Sequence, residues 1–234
     1  MKIGVVVFPG SNCDDDMMHV MGDVLGYETV KIWHKQDDLA GLGKNDCIIL
    51  PGGFSYGDYL RSGAIARFSP VMKEVVKHAN EGGYVYGICN GFQILCEAGL
   101  LPGVLLRNKN QLFVSKNVHL KVCNNVNPWT KGLNRALPLQ MPVAHADGRY
   151  HIGADGLEKL IENEQILLRY CDENGALTEE SNFNGSVDAI AGICNEKRNV
   201  FGMMPHPERA AESLLGNEDG KTLLSAFFNH MIAV

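Results

Sequence analysis

The strongest constraint on the fold is an alternation of short apolar runs with helix-forming segments over the first hundred residues. The runs are rich in Val, Ile and other β-prone residues, which is typical of buried central strands. They occupy residues 3–8, 29–33, 46–50 and 84–88. Amphipathic spacing predicts helices over 14–25 and 70–81, the second capped by Ser69, with a third after residue 89. Strands joined through helices pair in parallel, so the pattern predicts an α/β fold with an open, mostly parallel, doubly wound sheet and flanking helices.

The pattern changes after residue 101. Short β-like pieces are then separated by turn residues, with little helix between them, and this predicts an antiparallel β extension. The pieces lie at 112–114, 118–122, 137–144, 166–171, 189–194 and 200–204. A final helix is predicted from about residue 220 to 232. Because no linker or low-complexity tract interrupts the chain, we expect one domain over residues 1–234.

Composition excludes several classes of function. The net charge is −6 and no basic run occurs, which disfavours binding to nucleic acid or to an anionic membrane. The apolar start ends at Pro9 and is shorter than the core of a signal peptide, so we expect a cytoplasmic protein. The 7 cysteines form no C-x-x-C pair, which favours reduced thiols and predicts no metal site.

The segment 84–95 predicts a strand, a sharp turn and a helix around Cys89. Gly87 and Gly91 lie two residues before and after the cysteine, as glycines do in the G-x-S-x-G turn of serine hydrolases. Cys89 would then project above the sheet, and the helix N-terminus beside it would favour the nucleophilic thiolate. A buried structural cysteine is the alternative, and the flanking glycines favour the nucleophile.

A cysteine nucleophile needs a base, and the base is usually oriented by a carboxylate or an amide. Among 8 histidines, His206 stands between two prolines, with Glu208 two residues later. Residues i and i+2 of an extended segment share a face, so the two side chains can meet. An isolated His-x-Glu is more often a solvated loop, but together with the cysteine turn it predicts a Cys89, His206, Glu208 triad. Gly53, after the third predicted strand, marks a candidate oxyanion loop.

Two segments resemble a known enzyme family. Residues 87–93 and 204–209 are similar to the nucleophile turn and the His-Glu loop of class I (triad) glutamine amidotransferases. Within that family, residues 8–14 and 51–59 resemble the glutaminase subunits of phosphoribosylformylglycinamidine synthases. This likeness implies hydrolysis of L-glutamine to glutamate and ammonia through a cysteinyl thioester. It also implies delivery of the ammonia to an ATP-dependent synthetase subunit, which converts formylglycinamide ribonucleotide to formylglycinamidine ribonucleotide in purine biosynthesis.

The resemblance also implies residue roles. Cys89 attacks the glutamine amide, His206 protonates the departing ammonia and then activates water, and Glu208 orients His206. The backbone N–H groups of Gly53 and Asn90 hold the oxyanion.

Three further positions match substrate-side residues of the family: Gln93, Asn108 and Phe113. The chain departs from many relatives at Asn110, where Ser is common, and at 146–147, where Ala-Asp replaces Gly-Glu. The chain carries no Walker-type motif, so ATP and Mg²⁺ are expected on the synthetase subunit, with a small third subunit as a bridge. No cofactor is expected on this chain.

Other functions remain open from the sequence. A glutaminase could serve a different synthetase, such as those that make GMP, CTP or anthranilate. A cysteine peptidase or glyoxalase would share the cysteine turn but would leave the segment 204–209 unexplained. A third possibility is a non-catalytic interaction subunit that has kept the fold, against which the intact Cys, His and Glu argue.

Overall fold

The computed structural model describes residues 1–232, with side chains described for residues 1–229. The chain divides into two compact units. Unit 1 comprises Met1–Leu101 and Asn199–Gly202, and unit 2 comprises Pro102–Arg198 and the chain from Met203 onward. A single domain over residues 1–234 stays a prediction. Within the described residues, no helix combines the length and the apolar character needed to cross a membrane.

Unit 1 is built on parallel strands, as the alternation predicts. The strands are β1 (Lys2–Val7), β2 (Glu28–Trp33), β3 (Cys47–Leu50) and β4 (Tyr84–Ile88). Their order is β2-β1-β3-β4, and each neighbouring pair is parallel. The helices are α1 (Asp14–His19), α2 (Pro70–Asn80) and α3 (Asn90–Glu97). The mostly parallel α/β class predicted from the sequence is confirmed.

Three details of unit 1 differ from the prediction. The helix predicted over 14–25 is α-helical only to His19 and continues as a π-helix over Val20–Val24. No helix lies in the connection 34–46, so the alternation of strand and helix is interrupted between β2 and β3. Ser69 precedes α2 as expected, but its side chain does not cap the helix; its hydroxyl instead bonds to that of Tyr56 at 2.9 Å.

Unit 2 contains the predicted antiparallel strands and two short strands, over residues 104–106 and 149–151, that were not predicted. They are β5 (Val104–Leu106), β6 (Val114–Val122), β7 (Leu139–His145), β8 (Arg149–His151), β9 (Ile166–Cys171) and β10 (Ile190–Cys194). β10, β9, β6 and β7 pair antiparallel in that order, and β5 pairs with β8 in a separate two-stranded sheet. The last strand, β11 (Val200–Met203), has its first three residues in unit 1, beside β4.

Two elements of unit 2 were predicted incorrectly. The piece at 112–114 is extended strand only at Val114, which belongs with 118–122 to one strand, β6, because the polar residues between them also pair with β7. Helix α4 (Ala154–Glu162) is absent from the prediction, although Leu157, Leu160 and Ile161 have amphipathic spacing; it is short and buries only Leu160. The final helix is confirmed as α5 (Asp219–Ile232), whose Phe227 ring stacks on Trp129 with centroids 3.9 Å apart.

Candidate active site

Cys89 lies at the junction of β4 and α3, where the chain turns sharply. Its backbone has φ 50° and ψ −106°, a conformation that residues with a side chain rarely adopt. Strained backbone of this kind persists only where the surrounding structure enforces it, and it is concentrated at functional sites. The thiol is largely buried, since Cys89 is 5% exposed. The strand, turn and helix predicted around this residue are all present.

The glycines beside Cys89 are required by close packing. Neither Gly87 nor Gly91 has a positive φ, and the strained backbone conformation is that of Cys89 itself. A Cβ on Gly91 would overlap the carbonyl oxygen of Leu50 in β3. A Cβ on Gly87 would lie 2.7 Å from the backbone of Gly91. The two glycines therefore let the first turn of α3 pack directly against the strands.

Burial makes four other cysteines poor candidate nucleophiles. Burial raises the pKa of the thiols of Cys47 and Cys96, and it raises that of Cys171 and Cys194 to about 11. A thiol that stays protonated is a poor nucleophile. None of these four lies on a strand-to-helix turn.

Gly53 also occupies a conformation that only glycine tolerates. Its φ is 136°, and a Cβ there would lie 2.6 Å from the backbone nitrogen of Asn12. The carbonyl of Gly52 accepts a hydrogen bond from the Cys13 N–H at 3.3 Å. The loop after β3 is thus held closely against the segment after β1, within unit 1.

The side chain of Asn90 makes a network that sequence reasoning missed. Its Oδ1 accepts from the Ser55 N–H at 3.1 Å. Its Nδ2 donates to Asp58 Oδ1 at 3.2 Å and to Gln93 Oε1 at 2.8 Å. Asn90 is 1% exposed, and Gln93 is also buried. The backbone N–H of Asn90 is a predicted oxyanion donor, and its side chain also connects the first turn of α3 to the loop after β3 and to Gln93.

His206 and Glu208 are brought together in unit 2. The imidazole Nδ1 lies 2.6 Å from Glu208 Oε1, and both residues are 2% exposed. His206 itself is extended, and its N–H donates to the Pro142 carbonyl at 2.9 Å. Pro207–Arg209 form a 3₁₀ turn, so Glu208 reaches the ring through a tight turn and not through the extended i, i+2 geometry expected.

This pair defines the role open to the imidazole. A carboxylate accepts a hydrogen bond only from a protonated ring nitrogen, so Nδ1 carries the proton and Nε2 is the nitrogen able to exchange one. The carboxylate also stabilises the imidazolium that forms when Nε2 is protonated. The geometry is that of a base and its orienting acid.

Asn108 is completely buried and makes its hydrogen bonds within unit 2. Its Nδ2 donates to the carbonyls of Leu112 and His145, each at 2.9 Å. Its Oδ1 accepts from the Gly148 N–H at 3.2 Å and lies 3.1 Å from His145 Nδ1. These contacts use the four hydrogen-bonding positions of a carboxamide. Asn108 therefore holds two loops together, and its contact with substrate stays a prediction.

The remaining predicted positions lie at the surface of unit 2. Phe113, immediately before β6, is 51% exposed. The departures from the family pattern have local partners. Asn110 Oδ1 accepts from the Leu112 N–H at 3.0 Å, and Asp147 Oδ1 lies 3.7 Å from Arg107 Nη1.

His145 is a second buried histidine that received no role from the sequence. Burial and the nearby His206 lower its pKa to about 3, so the ring is neutral at ordinary pH. Because the amide group of Asn108 is fixed by its two donor bonds, its Oδ1 faces the ring and Nδ1 is the protonated nitrogen. No hydrogen-bond partner for Nε2 occurs among the described residues.

Comparison with known proteins identifies the family. The CobB/CobQ-like glutamine amidotransferase domain matches residues 1–224. The phosphoribosylformylglycinamidine synthase subunit PurQ of Salinibacter ruber is 54% identical over 233 residues, which covers 100% of this chain and 98% of that subunit. The subunit of the same name from Sulfurimonas denitrificans is 55% identical, covering 97% of this chain and 99% of the relative.

A solved structure is similar over the same extent. A chain in the structure of PurLQS from Thermotoga maritima superposes with a TM-score of 0.83 at 43% identity, covering 98% of each chain. The resemblance found in the cysteine turn and the His-Glu loop is thereby confirmed. This chain belongs to the CobB/CobQ-like glutamine amidotransferase family.

Proposed function

We propose that this chain is the glutaminase subunit of a phosphoribosylformylglycinamidine synthase. The observation that carries this proposal is 54% identity to a subunit of that enzyme over the whole chain. The strained cysteine turn and the buried His206–Glu208 pair supply the chemistry such a subunit needs. The chain hydrolyses L-glutamine to glutamate, and the ammonia is consumed in the conversion of formylglycinamide ribonucleotide to formylglycinamidine ribonucleotide.

The reaction proceeds in two halves. The Cys89 sulfur attacks the side-chain amide carbon of glutamine, and the backbone N–H groups of Gly53 and Asn90 stabilise the oxyanion that forms. His206 Nε2 takes the thiol proton of Cys89 during this attack and then donates it to the leaving nitrogen, so ammonia departs and a glutamyl thioester remains. His206 then removes a proton from water, which hydrolyses the thioester and releases glutamate and the thiol. Glu208 keeps Nδ1 protonated and stabilises the imidazolium.

Three further residues act on the substrate side of the site. Gln93, one turn into α3, and Phe113, at the surface of unit 2, face the glutamine. Asn108 acts mainly by holding two loops together, because its own carboxamide is hydrogen-bonded to Leu112, His145 and Gly148. We propose that both units together form one glutamine amidotransferase domain.

The ATP-dependent step belongs to partner subunits. The Thermotoga maritima relative is part of a PurLQS structure, which supports association of this chain with a synthetase subunit and a small third subunit. ATP, Mg²⁺ and formylglycinamide ribonucleotide bind the synthetase subunit, and this chain needs no cofactor of its own. We propose a cytoplasmic location for the complex, as expected for purine biosynthesis.

The test is glutamate release from glutamine by the purified chain, alone and with the synthetase and third subunits, ATP and formylglycinamide ribonucleotide. We expect activity that rises strongly in the complex and disappears in Cys89→Ala. Equal activity with and without the synthetase would contradict the pathway assignment. Glutamine-dependent synthesis by a complex carrying Cys89→Ala would contradict the catalytic role of this chain.

A further inference from the structure

We propose, on the basis of the proposed glutaminase function, that the carboxamide of Asn90 is a positioning residue for the oxyanion hole. The backbone N–H of Asn90 is one predicted oxyanion donor, and that of Gly53 is the other. The side chain of Asn90 joins the structures that carry these two donors, and so it sets their separation.

The first step rests on the hydrogen bond between the Asn90 side chain and the loop after β3, which carries Gly53. Asn90 Oδ1 accepts from the Ser55 N–H at 3.1 Å, two residues after Gly53 and 35 positions away in sequence. Asn90 is 1% exposed, so this bond is shielded from competing water. One side chain therefore connects the first turn of α3 to the loop after β3.

The second step concerns what holds that loop in place. Tyr56 and Asp58 both have φ 54°, a left-handed conformation that is unfavourable for residues with a side chain. Asn90 Nδ2 donates to Asp58 Oδ1 at 3.2 Å, so it fixes the far side of the same strained segment. Bonds at Ser55 and Asp58 together oppose relaxation of the loop.

The third step is that only a carboxamide meets all three contacts. One oxygen must face the Ser55 N–H, and one amino group must face the Asp58 carboxylate and Gln93 Oε1. An aspartate at position 90 would keep the first contact, but it would place a carboxylate against Asp58 and leave Gln93 without this donor. An alanine would make none of these contacts.

The kinetic test compares Asn90→Ala with wild type in the reconstituted complex. Because the oxyanion exists only in the transition state, we expect kcat to fall about 10- to 100-fold with a smaller change in KM. Alkylation of Cys89 by iodoacetamide creates no oxyanion, so its rate stays within about twofold of wild type. Asn134→Ala is the matched control, since the side chain of this exposed asparagine accepts from the Ala136 N–H at 2.9 Å in a turn of unit 2. Unchanged kcat in Asn90→Ala, or a kcat loss matched by equal loss of alkylation, would overturn the proposal.

A charge exchange sharpens the test. N90D is expected to be less active than N90A, because two carboxylates then face each other in a buried site. Adding D58N supplies a carboxamide donor toward the new carboxylate, so the double variant D58N/N90D should recover at least about fivefold in kcat over N90D. A double variant no better than N90D would contradict the proposed contact.

Hydrogen exchange at the Ser55 amide provides a readout that needs no catalysis. We expect exchange at least about 10-fold faster in Asn90→Ala than in wild type, because the amide loses its buried acceptor. Unchanged exchange would overturn the positioning role whatever the activity. A wild-type complex without glutaminase activity would instead contradict the proposed function, so the two failures are distinguishable.

Discussion

The cysteine turn of unit 1 and the histidine loop of unit 2 hold their functional atoms in different ways. At Cys89 the backbone does the positioning, through a φ of 50° and glycines packed against neighbouring backbone. At His206 a side-chain hydrogen bond of 2.6 Å to Glu208 orients the ring. The first site is therefore sensitive to any added side-chain atom, and the second to the loss of one charge. Variants at the two sites test that difference.

The largest expected effect is on activity. His206→Ala and Cys89→Ala should each lower kcat by at least about 10⁴-fold. The kcat of the double variant should be no lower than that of the less active single variant, because triad members act as a unit. Glutamate release by the reconstituted complex measures this. His151→Ala, which removes an exposed histidine of unit 2, is the control and should retain activity. Losses that multiply in the double variant would show that the two residues act independently.

The next effect is on stability. Gly91→Ala should destabilise the chain by about 4 kcal/mol or prevent folding, because the new Cβ overlaps the backbone carbonyl of Leu50, which cannot move without disturbing β3. Gly153→Ala is the matched control, since nothing lies within 4 Å of a Cβ there, and it should change stability by less than about 1 kcal/mol. Denaturant midpoints for both variants measure the difference. Equal midpoints would mean that α3 does not need glycine at its first turn.

Glu208→Gln tests the histidine loop by removing charge while keeping shape. The amide can still accept from Nδ1 but no longer stabilises the imidazolium, so kcat should fall about 100-fold with little change in melting temperature. Glu218→Gln, at an exposed position, is the control and should leave kcat unchanged. A kcat for Glu208→Gln within about threefold of wild type would mean that the carboxylate acts only as a packing group.

The smallest effect is a dependence of stability on pH. The pKa of His145 is about 3 in the folded chain and near 6.5 when unfolded. As the pH falls below 6.5, the unfolded state takes up a proton that the folded state does not, so stability decreases until the pH reaches about 3. At pH 5 the loss from this residue is about 2 kcal/mol. His145→Gln should flatten the stability curve between pH 7 and 4, whereas parallel curves would contradict the buried neutral ring.

Much of the cysteine turn could be predicted because its signals are local. Continuous apolar residues identify β1, β3 and β4, and glycines two residues on either side of Cys89 indicate a turn whatever the rest of the chain does. The reason for those glycines was not predictable, since it depends on Leu50, which lies on a different strand.

The polar networks could not be predicted because they join distant positions. Asn90 bonds to Ser55 across 35 positions, and Asn108 bonds to His145 across 37. A buried carboxamide has no periodic signature, so its partners emerge only when the chain is folded. The continuity of β6 also depends on distant residues. Its residues 115–117 are polar and exposed, and only their pairing with β7 makes the strand continuous.

The most direct test of the triad is labelling by a diazo-ketone analogue of glutamine in the reconstituted complex, followed by peptide mass spectrometry. We expect the analogue to modify Cys89 alone among the 7 cysteines and to react at least about 100-fold more slowly in His206→Ala. Such a result would support a catalytic pairing of Cys89 with His206. Modification of another cysteine, or an equal rate without His206, would contradict the proposed triad.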